Sequence, residues 1–407
     1  MTSAAVFESI IAPLKPLLSE QASGLKGDNY TLSFYFFTVN LIYAIVARVT
    51  SISLLVTHLK SSPDTFAFAL VEASKSMYSE AFRRYNPTLF QRLFLSLLGQ
   101  LQFLGIPEIE ALGRFILMDG SIFPAIKSMD WAVYKRSKNA LKLHLAFELN
   151  RMIPVQFICT DANGNERKML AALLEAGVTY IADRGYASFA LFEQITQQHA
   201  FFIIRIKSNI NYTLNQCLVV HGIPDNWLPF LSDLTDSLIV FSSDKQKSVY
   251  RLVTFLACGE KYCITSNRLD LATAQIIMLY AYRWQIELFF RVLKRTFNAL
   301  PLWTHDERGI QSQFYLYLIT YLLLMHFKQA LVQAPYKKVS LEKSKPSKRK
   351  PRKLFPSTPE RGIVTMLSKK LSGYCYWKIG NHWLETVKNL LRMPLNSKNI
   401  ALLVSRQ

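Results

Sequence analysis

Leu141, Leu143, Leu145, Phe147 and Leu149 alternate with Lys142, His144, Ala146 and Glu148. A period of two over nine residues places the large apolar side chains on one face of a strand. A strand with one apolar face needs a covering layer, so this stretch excludes an all-helical chain. Its neighbours extend the pattern. Residues 115–118 form a short apolar run that stops at Asp119. Residues 153–160 read as a further strand, closed by the turn Asp161-Ala162-Asn163-Gly164. Residues 169–176 read as a helix stopped by Gly177, and residues 178–182 as a buried strand ending at Asp183. A helix over 189–197 and a strand over 201–206 follow. Strands followed by alternating helix and strand predict an α/β fold with a mixed sheet.

The flanks read differently. Residues 1–110 are mostly helical. Within them, Tyr78, Ala81, Phe82 and Tyr85 recur at helical spacing before Asn86-Pro87 breaks the helix and starts another. The adjacent Arg83 and Arg84 suit a bundle that contacts DNA, and a bundle that only packs or dimerises fits as well. Residues 208–265 lose the helical period and read as a β-rich insertion, with strands at 238–241, 252–256 and 261–265. A long helix is expected over 271–297, with Asn267 or Asp270 as its N-cap. Residues 337–353 hold nine Lys and Arg with Pro346 and Pro351, a basic linker ahead of a small helical tail containing Trp377 and Trp383. The division is therefore 1–110, helical; 111–330, the α/β domain with its insertion; and 331–407, basic linker and tail.

The 48 Lys and Arg against 28 Asp and Glu leave a net charge of +20, which calls for a polyanionic partner, nucleic acid or an anionic membrane surface. Residues 331–407 carry 17 of the basic residues and only Glu342, Glu360 and Glu385 as acids, so most of the excess lies there. Two apolar runs, 31–47 and 314–327, fall short of the roughly 18–20 residues of a membrane span and read as core helices. The first residues lack a basic segment followed by an apolar one, so no signal peptide and a cytoplasmic protein are expected. The five cysteines include no CxxC pair. Cys258 and Cys263 flank a turn without completing a zinc site, and Cys159, Cys217 and Cys375 are scattered, so reduced thiols are expected.

Asp119 and Asp183 each end an apolar strand and precede turn-forming residues, Gly120-Ser121 and Arg184-Gly185. Strand ends are where a sheet offers side chains to a crevice. A third acid lies on the long helix, where Tyr280, Glu287 and Lys294 are seven apart, two turns at 3.6 residues per turn less about 20°. Arg283 and Arg291 sit four residues either side of Glu287, while Ile286, Phe290, Leu293 and Phe297 form the buried stripe. An ordinary solvated face with i,i+4 ion pairs satisfies the same spacing. Three carboxylates from separate elements can also hold two divalent cations about 3.5–4 Å apart. An oxygen-only set selects Mg2+ or Mn2+. One ion would activate water or a 3′ hydroxyl and the other would stabilise the leaving oxygen, with Arg283, Arg291 and Lys294 on the phosphates.

The stretch Tyr280-Ala-Tyr-Arg283-Trp-Gln-Ile-Glu287-Leu-Phe-Phe-Arg-Val-Leu-Lys294 resembles the Y-x2-R-x3-E-x6-K signature of bacterial insertion-sequence DDE transposases at all four positions. LMDGS around Asp119 and IADRGY around Asp183 are similar to that family's two aspartate motifs, in the right order. The resemblance implies an RNase H-like core, a β-rich insertion before the third acid, and Asp119, Asp183 and Glu287 as metal-binding catalytic residues. It implies Tyr280, Arg283 and Lys294 as contacts to inverted-repeat end DNA, target DNA as second substrate, and a homodimer in the synaptic complex. Trp284 is expected in the core, with stacking on an unstacked base as the alternative; Lys207 and Arg205 are expected at the DNA backbone or in solvent, and His144 on the polar face of its strand, with a place beside the active site as the lesser alternative. A DNA-binding protein descended from such an enzyme, or a nuclease without strand transfer, would carry the same motifs. If the basic tail clamps DNA, removing residues 335–407 will weaken DNA binding and flatten its salt dependence in a titration series. An unchanged salt slope would exclude the tail as a DNA contact.

Overall fold

A computed structural model describes residues 3–61, 68–125, 129–135, 138–257, 259–296 and 302–333. Phe297, Cys258, Cys375, the basic linker and the tail with Trp377 and Trp383 lie outside the described residues.

The chain opens with helices α1 (Ser3–Ile11), α2 (Leu14–Ser23), α3 (Phe34–Val46), α4 (Ile52–Ser61), α5 (Lys75–Arg84), α6 (Pro87–Gln100) and the single turn α7 (Pro107–Glu110). The break at Asn86-Pro87 falls as the sequence predicts. The Asn86 side chain accepts the Thr88 N–H at 3.0 Å and Pro87 occupies the first turn, where its missing N–H costs nothing. The apolar run over 31–47 is the core helix α3. Its one buried amide, Asn40, donates to the Val71 carbonyl and to the Tyr78 hydroxyl, each at 2.7 Å.

The sheet comprises β1 (Arg114–Ala125), β2 (Val133–Lys135), β3 (Lys138–Glu148), β4 (Ile153–Asp161), β5 (Val178–Ala182), β6 (Phe201–Arg205), β7 (Tyr212–Cys217), β8 (Leu231–Phe241), β9 (Val249–Ala257) and β10 (Glu260–Ser266). Helix α8 (Glu166–Ala171) precedes β5, and α9 (Phe189–Gln197) links β5 to β6. The order is β2-β3-β1-β5-β6-β10-β9-β8-β7, with β4 also on β3. β1, β5 and β6 run parallel, and the other pairings are antiparallel. This is the mixed-sheet α/β core expected of an RNase H-like fold, with helical flanks. The β-rich insertion continues that sheet, because β10 pairs directly with β6. Its outermost strand, β7, is exposed along its whole length.

Alternation divides the sheet between two apolar layers. Phe115 and Leu117 of β1 join Leu141, Leu143, Leu145 and Phe147 of β3 in one layer, which is continuous with the N-terminal helices. Ile116 and Met118 face the other layer, with Leu170, Leu191, Phe192 and Ile195 of α8 and α9. After β10 come α10 (Thr273–Tyr282), α11 (Trp284–Arg291), a π-helical turn at Val292–Thr296, and α12 (Glu307–Gln333). α12 packs against α6, α3, α1 and α5, so the helical bundle is closed by a segment from beyond the sheet. It holds the second apolar run. Among the described residues no helix is long and apolar enough to cross a membrane. Cys159, Cys217 and Cys263 are free thiols.

Three expectations need correction. The helix before β5 begins at Glu166 rather than near Met169, because the Asn165 side chain caps it by accepting the Arg167 N–H at 3.0 Å. It also ends early. The Tyr180 hydroxyl takes the Glu175 N–H at 2.8 Å and donates to the Leu173 carbonyl at 2.6 Å, replacing helical bonds there. Second, neither Asn267 nor Asp270 caps α10. Asn267 is spent on the backbone of Phe202 and Ala200, and Asp270 pairs with Arg268 at 2.7 Å. Gln275 instead reaches back to the Ala272 N–H at 2.8 Å. Third, the long helix is broken at Arg283, where the N–H groups of Arg283 and Ile286 bond three residues back, to Tyr280 and Arg283.

A buried ion pair moors α10 to the insertion. Arg251 on β9 binds Asp236 on β8 through two hydrogen bonds of 3.0 and 2.6 Å, and Thr273 at the start of α10 donates to the same carboxylate at 2.7 Å. Arg251 also donates to the carbonyls of Arg268 and Leu271. Asp236→Ala leaves a buried guanidinium uncompensated, so urea unfolding should show a loss of about 3–5 kcal/mol. A loss below about 1 kcal/mol would mean the pair does not moor the helix.

Candidate acidic active site

β1 pairs with β5 only through Leu117, opposite Ile181, while its pairing with β3 runs on to Ala125. Asp119 therefore stands just past the parallel pairing. Asp183 follows the last residue of β5 and leaves the neighbouring parallel strand at the same end. Contrary to expectation, Asp119 does not end its strand, since the pairing with β3 carries β1 on through Gly120 and Ser121, whereas Asp183 does open a turn. Asp119 Oδ1 accepts the Gly120 N–H and Asp183 Oδ1 the Gly185 N–H, both at 2.8 Å. The glycines in the two motifs answer to crowding. A Cβ at Gly120 would stand 2.6 Å from Lys142 Cε and 3.2 Å from Glu166 Oε1. One at Gly185 would collide with the Glu166 carboxylate and stand 3.1 Å from Asp183 Oδ1.

Glu287 arrives from α11, which packs on β1 and sets Phe289 against Phe147 of β3 with ring centroids 5.3 Å apart. Arg283 donates to Glu287 Oε1 at 2.7 Å. The three acids share one field. Burial pushes the Asp119 carboxyl up to about 7. Arg283 and the Gly120 N–H oppose that rise, and the charges of Asp183 and Glu287 add to it. Lys294, in the π-helical turn, donates to the Ile122 carbonyl of β1 at 2.7 Å and lies 4.7 Å from the Phe123 ring centroid. Burial lowers its pKa, and Asp119 opposes the change.

The helix break alters the expected stripe. Arg291 and Lys294 remain partly exposed, whereas Tyr280 and Arg283 are buried at 5% and 4%. Tyr280 faces the Tyr262 ring at 6.4 Å, and Trp284 packs in the core with the Arg291 guanidinium 5.9 Å from its ring. Arg205 is also buried, ion-paired with Glu260 over the Tyr262 ring, which removes it from the surface. Lys207 is exposed. His144 is buried rather than on a solvated face. Its Nε2 lies 3.1 Å from the Thr160 hydroxyl, and burial, with help from Lys142, lowers its pKa to about 4.

Sequence reading passed over Glu166, Lys142 and Tyr186. Lys142 Nζ pairs with Glu166 Oε1 at 2.6 Å, beside the glycines that follow the two aspartates, Gly120 and Gly185. The signal for Glu166 was Asn165, an N-cap residue directly before an acid. Among the described residues no three His, Cys, Asp or Glu side chains are gathered at ion-holding distances. The donor chemistry of Asp119, Asp183 and Glu287 nonetheless fits a hard divalent ion, since all three are carboxylates. The buried Tyr186 hydroxyl beside them has no hydrogen-bond partner.

Asp119 and Asp183 thus lie just past the pairing of two neighbouring parallel strands, and Glu287 lies on a helix packed against β1. Comparison with known proteins gives the family. The sequence pattern of the transposase DDE domain matches residues 110–323, more than half of the chain. The chain belongs to that family. It is 27% identical over 248 residues to a putative transposase of Sinorhizobium fredii, covering 60% of this chain and 69% of the relative. It is 26% identical over 197 residues to a probable insertion-sequence transposase of Geobacillus stearothermophilus, covering 48% and 52%. A putative insertion-sequence transposase of Synechocystis is 24% identical over 257 residues, covering 61% and 70%.

With its folded value near 7 against an ordinary 3.8, ionised Asp119 opposes folding. That cost is absent below about pH 4, grows between about 4 and 7, and is complete above. In chelator, Asp119→Asn should therefore be more stable than the parent by about 2–4 kcal/mol at pH 8 and equal to it near pH 4. Denaturant melts across that range check it, and parallel pH profiles would mean that the Asp119 carboxyl is not raised in the folded protein.

Proposed function

We propose that the chain is a metal-dependent DNA transposase that cleaves at insertion-sequence ends and joins the 3′ ends to target DNA. The observation that supports this reading is that buried Asp119 lies within electrostatic reach of both Asp183 and Glu287, whose charges add to the rise that burial gives its carboxyl. These three acids would hold two Mg2+ or Mn2+ ions, which when bound activate the attacking oxygen and stabilise the leaving one. Arg283 fixes the Glu287 carboxylate through their hydrogen bond, and keeps the third acid aimed at the strand ends. Lys294, anchored on β1, and Arg291 stand at the exposed border, where they neutralise phosphates of an inverted-repeat end. Tyr280 and Arg283 lie beneath that border, and in this reading they support the helix at its break, or reach DNA only after a rearrangement. Double-stranded ends and target DNA are the substrates. Work on two ends calls for at least two copies of the chain.

The test uses purified protein, Mg2+ or Mn2+, and labelled DNA carrying the element's ends. Cleavage should occur with the parent and vanish in Glu287→Gln while end binding persists. Equal cutting by that variant would remove Glu287 from the site, and an inactive parent that still binds ends would leave a DNA-binding protein. Joined products with an added plasmid separate a transposase from a nuclease. Lys294→Ala should weaken binding on all sequences alike and reduce the salt slope by about one.

A further inference from the structure

We propose that Glu166 is a fourth carboxylate of the divalent-ion site, and that Lys142 supplies the compensating positive charge there in the ion-free protein. The inference rests on the two-ion reading above. Glu166 opens α8, and its carboxylate reaches Gly120 of β1 and Gly185 after β5. Oε1 lies 3.2 Å from the point a Gly120 Cβ would occupy, and the other oxygen closes over Gly185. One carboxylate thus spans the residue after Asp119 and the turn held by Asp183. Both of these residues are glycines, and a Cβ at either would crowd the carboxylate.

Two buried polar atoms at the same place lack partners. The Tyr186 hydroxyl, fully buried, makes no hydrogen bond, and it stands in the field of Asp119, Glu166 and Asp183. His144 Nδ1, also buried, makes none and lies 3.5 Å from the Gly120 point. Buried groups left without partners beside acids are what the retained waters of a hard divalent ion would satisfy. Lys142 is on the same face of β3 as His144, and its ammonium sits on Glu166 Oε1, where it neutralises a carboxylate that an ion would otherwise hold.

The purely structural alternative makes Glu166 only the partner of Lys142. Mn2+ binding to the full chain, read by electron paramagnetic resonance, separates the two. Glu166→Gln should weaken Mn2+ binding about 10-fold or more. Lys142→Met, which removes only the competing cation, should bind Mn2+ as tightly as the parent or tighter. Glu166→Asp, which keeps the charge on a shorter stem, should fall between parent and Glu166→Gln, and thermal melts in chelator check that each variant is folded. Parent-like affinity in folded Glu166→Gln, or in folded Glu166→Asp should the Gln variant not fold, overturns the inference. So does equal weakening in Glu166→Gln and Lys142→Met. Asp119→Asn, run in parallel, isolates the underlying reading. If it loses Mn2+ while Glu166→Gln does not, only the role of Glu166 falls. If neither loses it, the two-ion reading falls as well.

Discussion

Everything in the molecule leans on β1. Its backbone is paired on both edges, antiparallel to β3 and parallel to β5, and its side chains are buried on both faces. A strand held on four sides cannot slip by one residue without sending Phe115 and Leu117 into the wrong layer. That rigidity fixes Asp119 at the end of the parallel pairing. It also gives Lys294 a carbonyl to grip at Ile122 and gives α11 a surface to pack against.

Held this way, the site is a place of imbalance. Carboxylates brought together under partial burial raise one another's cost, and the Asp119 carboxyl carries that cost most visibly. The protein offsets part of it with two local cations, Arg283 on Glu287 and Lys142 on Glu166. Elsewhere it uses the same device for structure alone. Arg251 with Asp236, and Arg268 with Asp270, Thr179 and the Leu112 carbonyl, bind the insertion to α10, β5 and the entry to β1. The difference lies in completeness. In the structural network both Asp236 oxygens accept hydrogen bonds, whereas the acidic site keeps a buried tyrosine hydroxyl without a partner.

Much of the fold was legible because burial writes a period into sequence. The alternation from Leu141 to Leu149 is a strand with its apolar set in one layer, and the break at Asn86-Pro87 is where the helices part. Local rules failed where a distant residue intervened. Tyr180 cut α8 short from across its own strand, Arg268 and the β6 backbone claimed the acid and amide expected to cap α10, and Arg283 turned inward to Glu287. Spacing treats the helix from 271 to 297 as straight, so it could not register a break and a π-helical turn that bury Tyr280 and re-aim Lys294.

The sequence by itself singled out the candidate acids and cations, because motif spacing depends on near neighbours alone. It also determined the two-layer α/β plan, since alternation and helical period follow from burial on one or two faces. Tertiary structure decided which of those charges meet. Only the parallel pairing of β1 with β5, the packing of α11 on β1 and the early start of α8 bring Asp119, Asp183, Glu287 and Glu166 toward one place. Their sequence separations hold no trace of that proximity, because it is set by hydrogen bonds and packing between elements far apart in the chain.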